Sequence, residues 1–218
     1  MKLESYLLAI DGSAAAKDAS HLAWNIATQT GASVDAQFVV NTAGAWNLLS
    51  CPIRPGFIGS GSYLEAKFKL NSILHSIGED IMLAYRSQAE GINIKSNTYI
   101  DEGDPAQEIL KRAKNYSLLI IGHRRAIEES RLPSLCEKLI QDCPCPLLVV
   151  SDTINNFSQI HARIVNGDPF AINGLRDFVQ AVGLGHQQLK ESWVDQDNNH
   201  YIYKLDHPTL LLWRQRTL

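Results

Sequence analysis

The chain has 218 residues, of which 45% are hydrophobic and 20% charged, with a formal net charge of −3. Those values describe an ordinary globular protein and exclude the electrostatic footprint of a nucleic-acid or anionic-membrane binder. The length suits one large domain, or one of about 150 residues with a small companion.

No apolar run approaches the roughly 20 residues that span a bilayer. The start, Met1 to Ser5, carries no leader pattern, because the first apolar run is short and stops at Asp11. The expected compartment is the cytoplasm. Cys51, Cys136, Cys143 and Cys145 form no CxxC and no zinc spacing. They are expected to be reduced, mostly buried thiols.

Tyr6 to Ile10 is a continuous apolar run ending at Asp11-Gly12-Ser13, as expected of a strand buried on both faces. Residues 14–30 read as a helix, with Ala15, Ala19, Leu22, Ala23, Ile26 and Ala27 at helical spacing and Gly31 as the stop. Val34 to Val40 is the second strand. Residues 41–61 read as irregular, because Pro52, Pro55, Gly56, Gly59 and Gly61 punctuate them. Tyr63 to Glu90 reads as a long helix whose stripe includes Leu70, Ile73, Leu74, Ile77, Ile81 and Tyr85. Asn93 to Ile100 is the third strand.

Asp104-Pro105 opens the next helix. Aspartate at the N-cap accepts a backbone N–H, and proline at the first helical position has none to lose. Leu118 to Ile121 is a fourth buried strand ending at Gly122, and Leu132, Leu135, Cys136, Leu139 and Ile140 mark another helix. Pro144 and Pro146 end that helix, and Leu147 to Val150 is the fifth strand. Strands alternating with helices in this way mean βαβ units and a parallel sheet with helices on both faces. Ligands of such folds sit beyond the carboxyl ends of the strands.

Residues 153–218 read as a small βαβββ-like module. Its parts are a strand at 161–165, a helix opened by Asp168-Pro169, a hairpin over 192–205 and a strand at 209–214. About 60 residues bury too little to be comfortable alone, so the module is expected to pack on the first domain or on a partner.

Tyr6-Leu-Leu-Ala-Ile-Asp-Gly-Ser13 resembles the opening strand of the universal stress protein (UspA-like) family. Gly103-Asp104-Pro105 with Ile109, Leu118 to His123, and Ser134 to Leu139 with Cys143 to Val150 resemble that family's later helix starts, fourth strand and closing elements. Four such pieces in order cover residues 1–152; the extension has no such counterpart. The resemblance implies a doubly wound α/β domain with a parallel five-stranded sheet (adenine-nucleotide-hydrolase-like), followed here by a small α+β extension. It also implies a homodimer, for which Leu147 to Val150 is the candidate interface unless the extension covers that edge. No established catalytic step comes with the family.

In nucleotide-binding members the first-strand aspartate meets the nucleoside and the end of the second strand frames the adenine. By resemblance these roles fall to Asp11 and Val40. A glycine-rich turn, G-x-x-G, nine residues, then G-[S/T], wraps the phosphates. Here Gly122 and Ser134 match, but Arg125 and Pro133 replace the other two glycines and seven residues separate them. Glycine permits positive φ and close backbone approach, and proline removes an N–H, so the cradle is impaired. Against this, Arg124 and Arg125 can hold phosphate by bidentate hydrogen bonds. Glu128 and Glu129 in the same loop can pair with them instead.

Two readings result. One is a cytoplasmic stress-response regulator acting through dimerisation and an unknown protein partner, with a degenerate nucleotide site. The alternative is a switch that binds ATP or another adenine nucleotide at Asp11, Val40, Gly122, Arg124, Arg125 and Ser134. An enzyme is disfavoured, since Asp11-Gly12-Ser13 is no nucleophile elbow and no base pairs with it. Asp101, Glu102 and Asp104 read as a helix cap and solvated carboxylates rather than a metal site, and the tail histidines fit no ligand spacing.

Overall fold

The computed structural model describes residues 4–49, 60–123, 134–151, 160–165, 169–182, 189–194 and 209–212. The first half runs β1 (Ser5–Ala9), α1 (Ala14–Thr30), β2 (Ser33–Val40), α2 (Thr42–Leu49), α3 (Ser60–Gly91) and β3 (Thr98–Glu102). It continues with α4 (Pro105–Ala113), β4 (Leu118–His123), α5 (Ser134–Asp142) and β5 (Leu147–Ser151). The C-terminal part adds β6 (Ile160–Val165), α6 (Pro169–Val182), β7 (Leu189–Val194) and β8 (Thr209–Leu212). Among the described residues no helix is long and apolar enough to cross a membrane.

The strands form one sheet in the order β3-β2-β1-β4-β5-β8-β6-β7. β1 to β5 are mutually parallel, which confirms the doubly wound α/β expectation. β8 pairs antiparallel with β5, and β6 runs parallel to both β8 and β7. The edge of β5 that the sequence offers as a dimer interface is thus paired with the chain's own β8.

Period-two alternation sends successive side chains to opposite faces. Leu7, Leu119, Ile121, Leu147 and Val149 meet α4 and α5, with Ile109, Cys136 and Leu139. Tyr6, Leu8, Leu118, Ile120, Leu148 and Val150 join Ala19, Leu22 and Ile26 of α1, Met82 and Tyr85 of α3, and Phe178 and Val182 of α6. Leu7, Leu8, Leu118, Leu119, Ile120, Leu147 and Leu148 are fully covered, each contributing about 1.5–3 kcal/mol of burial.

Residues 42–49 form α2 where the sequence reads as irregular. Asn41 explains it: its Oδ1 accepts the Gly44 N–H at 2.8 Å and its carbonyl accepts the Ala45 N–H at 3.0 Å. The prolines and glycines that suggest a loop all lie beyond this helix. The expected cap on α4 is present, with Asp104 Oδ1 accepting the Gln107 N–H at 3.0 Å, and Gly31 ends α1 at φ 72°. The turn of the expected hairpin at 192–205 lies outside the described residues, as does Cys51. Cys136, Cys143 and Cys145 are buried thiols, as expected.

Two phenols bond to β2, Tyr85 buried on α3 and Tyr116 part-buried in the connection after α4. Tyr85 donates to the Val34 carbonyl at 2.9 Å and accepts from Trp24 Nε1 at 3.3 Å. Tyr116 donates to Asp35 at 2.7 Å. Burial pushes the Tyr85 phenol up to about 12, and burial followed by the Asp35 carboxylate raises Tyr116 in the same sense. The neutral phenol is the form the fold holds. Stability is therefore complete below pH 10 and falls as pH rises towards 12, because the unfolded chain loses its protons first. For Tyr85 alone the loss is on the order of 3 kcal/mol. Urea unfolding followed from pH 9 to 12 is expected to give a falling free energy, with a shallower slope in Tyr85→Phe.

Candidate functional site at the strand ends

β1 ends in the turn Asp11-Gly12-Ser13. Asp11 Oδ1 accepts the Ser13 N–H at 2.9 Å, and Ser13 Oγ accepts the Ala16 N–H at 3.2 Å, capping α1. The Asp11 carboxylate is thus turned back on its own loop, with its side chain exposed. Gly12 has φ +79°, and a Cβ there would stand 2.8 Å from Ile81 Cδ1 of α3. Gly122, at the end of β4, presses on the first turn of α1: a Cβ would lie 2.4 Å from Ala15 C and Ala16 N. Its glycine character serves helix packing whether or not a phosphate binds. Gly122→Ala is expected to cost about 1–3 kcal/mol from overpacking against backbone, read as a lower denaturation midpoint at unchanged slope.

Asp11 and Gly122 are neighbours, since β1 and β4 pair with Ala9 beside Ile121. Val40 ends β2, fully buried, with its carbonyl accepting the Gly103 N–H at 3.1 Å. Ser134 is the first residue of α5. Arg124, Arg125, Glu128, Glu129 and Pro133 lie outside the described residues.

A cavity of about 630 Å³ opens between the end of β2, α2, α3 and the β3–α4 turn. Val40 is in its wall, together with Thr42, Asn47, Phe68, Asn71 and Gly103; Asp11 and Gly122 are not. The Thr42 hydroxyl bonds to Asn71 Oδ1. Along α3, Asn71 is ten residues from the Ile81 that faces Gly12, a rise of about 15 Å. The sequence missed Phe68 and Asn71 because ligand groups were sought at strand ends rather than on a helix. The available signal is Asn71 itself, a polar residue interrupting the apolar stripe of α3.

The cavity's charged lining is Lys67, Glu102 and Asp104. Two carboxylates against one ammonium disfavour a phosphate and suit a neutral or cationic polar group. Glu102 also faces His75 at 3.5 Å. Asp101, beside it on β3, is held in a fork by Arg112 at 2.8 Å and accepts from Gln37 Nε2 at 2.7 Å. The Arg112 guanidinium also lies 3.9 Å over the Tyr99 ring. Asp104 caps α4 as expected, whereas Asp101, expected to be solvated, is part-buried and paired with Arg112 and Gln37.

One arrangement looks catalytic at first sight. Cys136 Sγ lies 3.7 Å from His123 Nδ1, both buried. Burial, then the negative charges of Asp11 and Glu137, push the thiol up to about 12. The nucleophile of cysteine chemistry is the thiolate, and this thiol stays protonated at neutral pH. Cys136 is expected to resist iodoacetamide at pH 7.5 in the native protein and to react once urea unfolds it, as peptide mass mapping would read.

Residues 52–151 match the family model described as the universal stress protein family. A universal stress protein of Methanocaldococcus jannaschii is 28% identical over 152 residues, covering 64% of this chain and 77% of that protein. Among solved structures, a universal stress protein from Archaeoglobus fulgidus superposes with a TM-score of 0.62 at 15% identity, over 98% of this chain and 100% of that one. UspA from Lactobacillus plantarum gives 0.52 at 20% identity, over 69% and 99%. These structural likenesses establish the fold, and the match over residues 52–151 and the relative support a universal stress protein family assignment for this part of the chain.

Proposed function

We propose that this protein is a universal-stress-type cytoplasmic, non-catalytic regulator that works through dimerisation and a protein partner, with its nucleotide site degenerate. One observation carries the reading. Asp11, the residue that would meet a nucleoside, bonds within its own turn and stands apart from the cavity beside Val40. The acidic lining of that cavity and the loss of two motif glycines, replaced by Arg125 and Pro133, point the same way. The protonated Cys136 leaves the buried His123 pair without a nucleophile, in keeping with a non-catalytic role. Self-association would have to use a surface other than the β5 edge, which β8 fills.

A second reading, an adenine-nucleotide switch, is favoured by the cavity itself. Its volume of about 630 Å³ falls in the range of roughly 300–1,000 Å³ typical of ligand sites, and Val40 lies in its wall. Isothermal titration of nucleotide-stripped protein with ATP separates the two. The degenerate-site reading expects no heat at millimolar ATP. Micromolar binding abolished by Asp11→Ala would overturn it in favour of the switch. Binding lost in Asn71→Ala but kept in Asp11→Ala would overturn it too, and would seat the nucleotide in the cavity without the family aspartate.

A further inference from the structure

The apolar stripe along α3 does not all enter the core. Leu74, Ile81, Met82 and Tyr85 pack against the sheet, and a Cβ on Gly78 would lie 2.7 Å from Phe38 Cδ1 of β2. Ile73 and Ile77 stay 56% and 45% exposed. Two isoleucines one turn apart on the outside of a helix leave apolar surface in water that docking would cover.

These two belong to a longer row. Ala66, Leu70, Ile73, Ile77, Asp80 and Ala84 are separated alternately by four and three residues. That spacing is the seam of a two-stranded coiled coil, a second face of α3 beside the one that meets the sheet. Leu70 is half-buried, and Ala66, Asp80 and Ala84 are exposed.

The row is also complementary to itself. A twofold axis level with His75 runs α3 antiparallel to α3 of a second copy. Ile73 then stands opposite Ile77 of the second copy, Ala66 opposite its Ala84, and Leu70 opposite its Asp80. Lys69, next to Leu70, comes within reach of that same carboxylate, and symmetry makes the pair occur twice. Apolar layers fall at the centre and charge pairs towards both ends, as in stable interfaces. Lys69 meets Glu65 at 2.9 Å in its own chain, but both are largely exposed, and an exposed pair of this kind is readily exchanged.

We propose that the outer seam of α3, from Ala66 to Ala84, is the surface on which a second copy of this chain docks, antiparallel about that axis. The docking rests on the dimerising regulator proposed above and gives it a surface away from the β5 edge, which β8 occupies.

Sedimentation of the full chain at several concentrations tests it. A mass of twice 24.2 kDa, falling to 24.2 kDa on dilution, is expected. A monomer at every concentration would overturn the docking and the dimerising reading together. In Ile73→Glu/Ile77→Glu, a monomer with an unchanged circular dichroism spectrum supports the seam, whereas a persisting dimer overturns the seam and leaves dimerisation standing. Should that variant not fold, charge reversal decides. Lys69→Asp and Asp80→Lys are each expected to weaken the dimer about tenfold, and the double variant to restore it. The two residues are about 16 Å apart along one helix, so restoration reports a contact between chains; weakening without restoration overturns the pairing.

Discussion

The turn between β1 and α1 is held between two close approaches that only glycine allows. Gly122 lets the end of β4 meet the backbone of α1 at Ala15 and Ala16, and Gly12 lets Ile81 of α3 close on the other side. This clamp sets where α1 begins, how deeply it lies on β4 and β5, and where α3 crosses the sheet. The core on that face depends on it, because Tyr6, Leu8, Ile120 and Leu148 are covered by α1 and α3 in those positions. The clamp also decides what Asp11 does. Held in a tight capped turn, its carboxylate satisfies the Ser13 N–H before any ligand arrives.

The opposite face of β2 is organised by polar pairing rather than by apolar burial. Asp35 is buried yet accepts from the Asn97 backbone and side chain and from Tyr116. Gln37 reaches Asp101 and the Glu108 carbonyl, and Arg112 closes the fork on Asp101. A buried charge is tolerable only when hydrogen-bonded in this way. The network links β2, β3 and α4, and so orients the β3–α4 turn that forms one wall of the cavity. Its carboxylates are largely consumed by pairing, which leaves Glu102 and Asp104 to set the cavity's charge. Gln37 Oε1 alone is buried without a partner among the described residues.

The eight-stranded sheet makes the C-terminal segment part of the fold rather than an appendage. A stretch of this size buries too little surface to hold itself together, and here it gains a sheet neighbour in β5 and a helix neighbour in α1. In return β5 becomes an interior strand. The exchange joins an apolar strand edge and a small C-terminal unit into one continuous sheet.

Much of this was legible in the residues. The buried runs at 6–10, 118–121 and 147–150, the stripes of α1 and α3, and the Asp104-Pro105 cap all encode local periodicity or capping chemistry, which act within a few residues. Those signals were enough for the α/β class and, with the motifs, for the resemblance to the family. α2 escaped because its start rests on one side chain, Asn41, amid later prolines and glycines. The matching of Asp11 and Gly122 to a nucleotide site was equally visible, but their use in the turn and in helix packing was not. Whether a carboxylate faces a cavity or its own backbone depends on what closes around it. Likewise the sequence alone specified strands in the tail, while the choice of β8 for the β5 edge came from tertiary structure. Strand partners are selected by register, direction and the burial of two faces at once, and no local pattern carries that information.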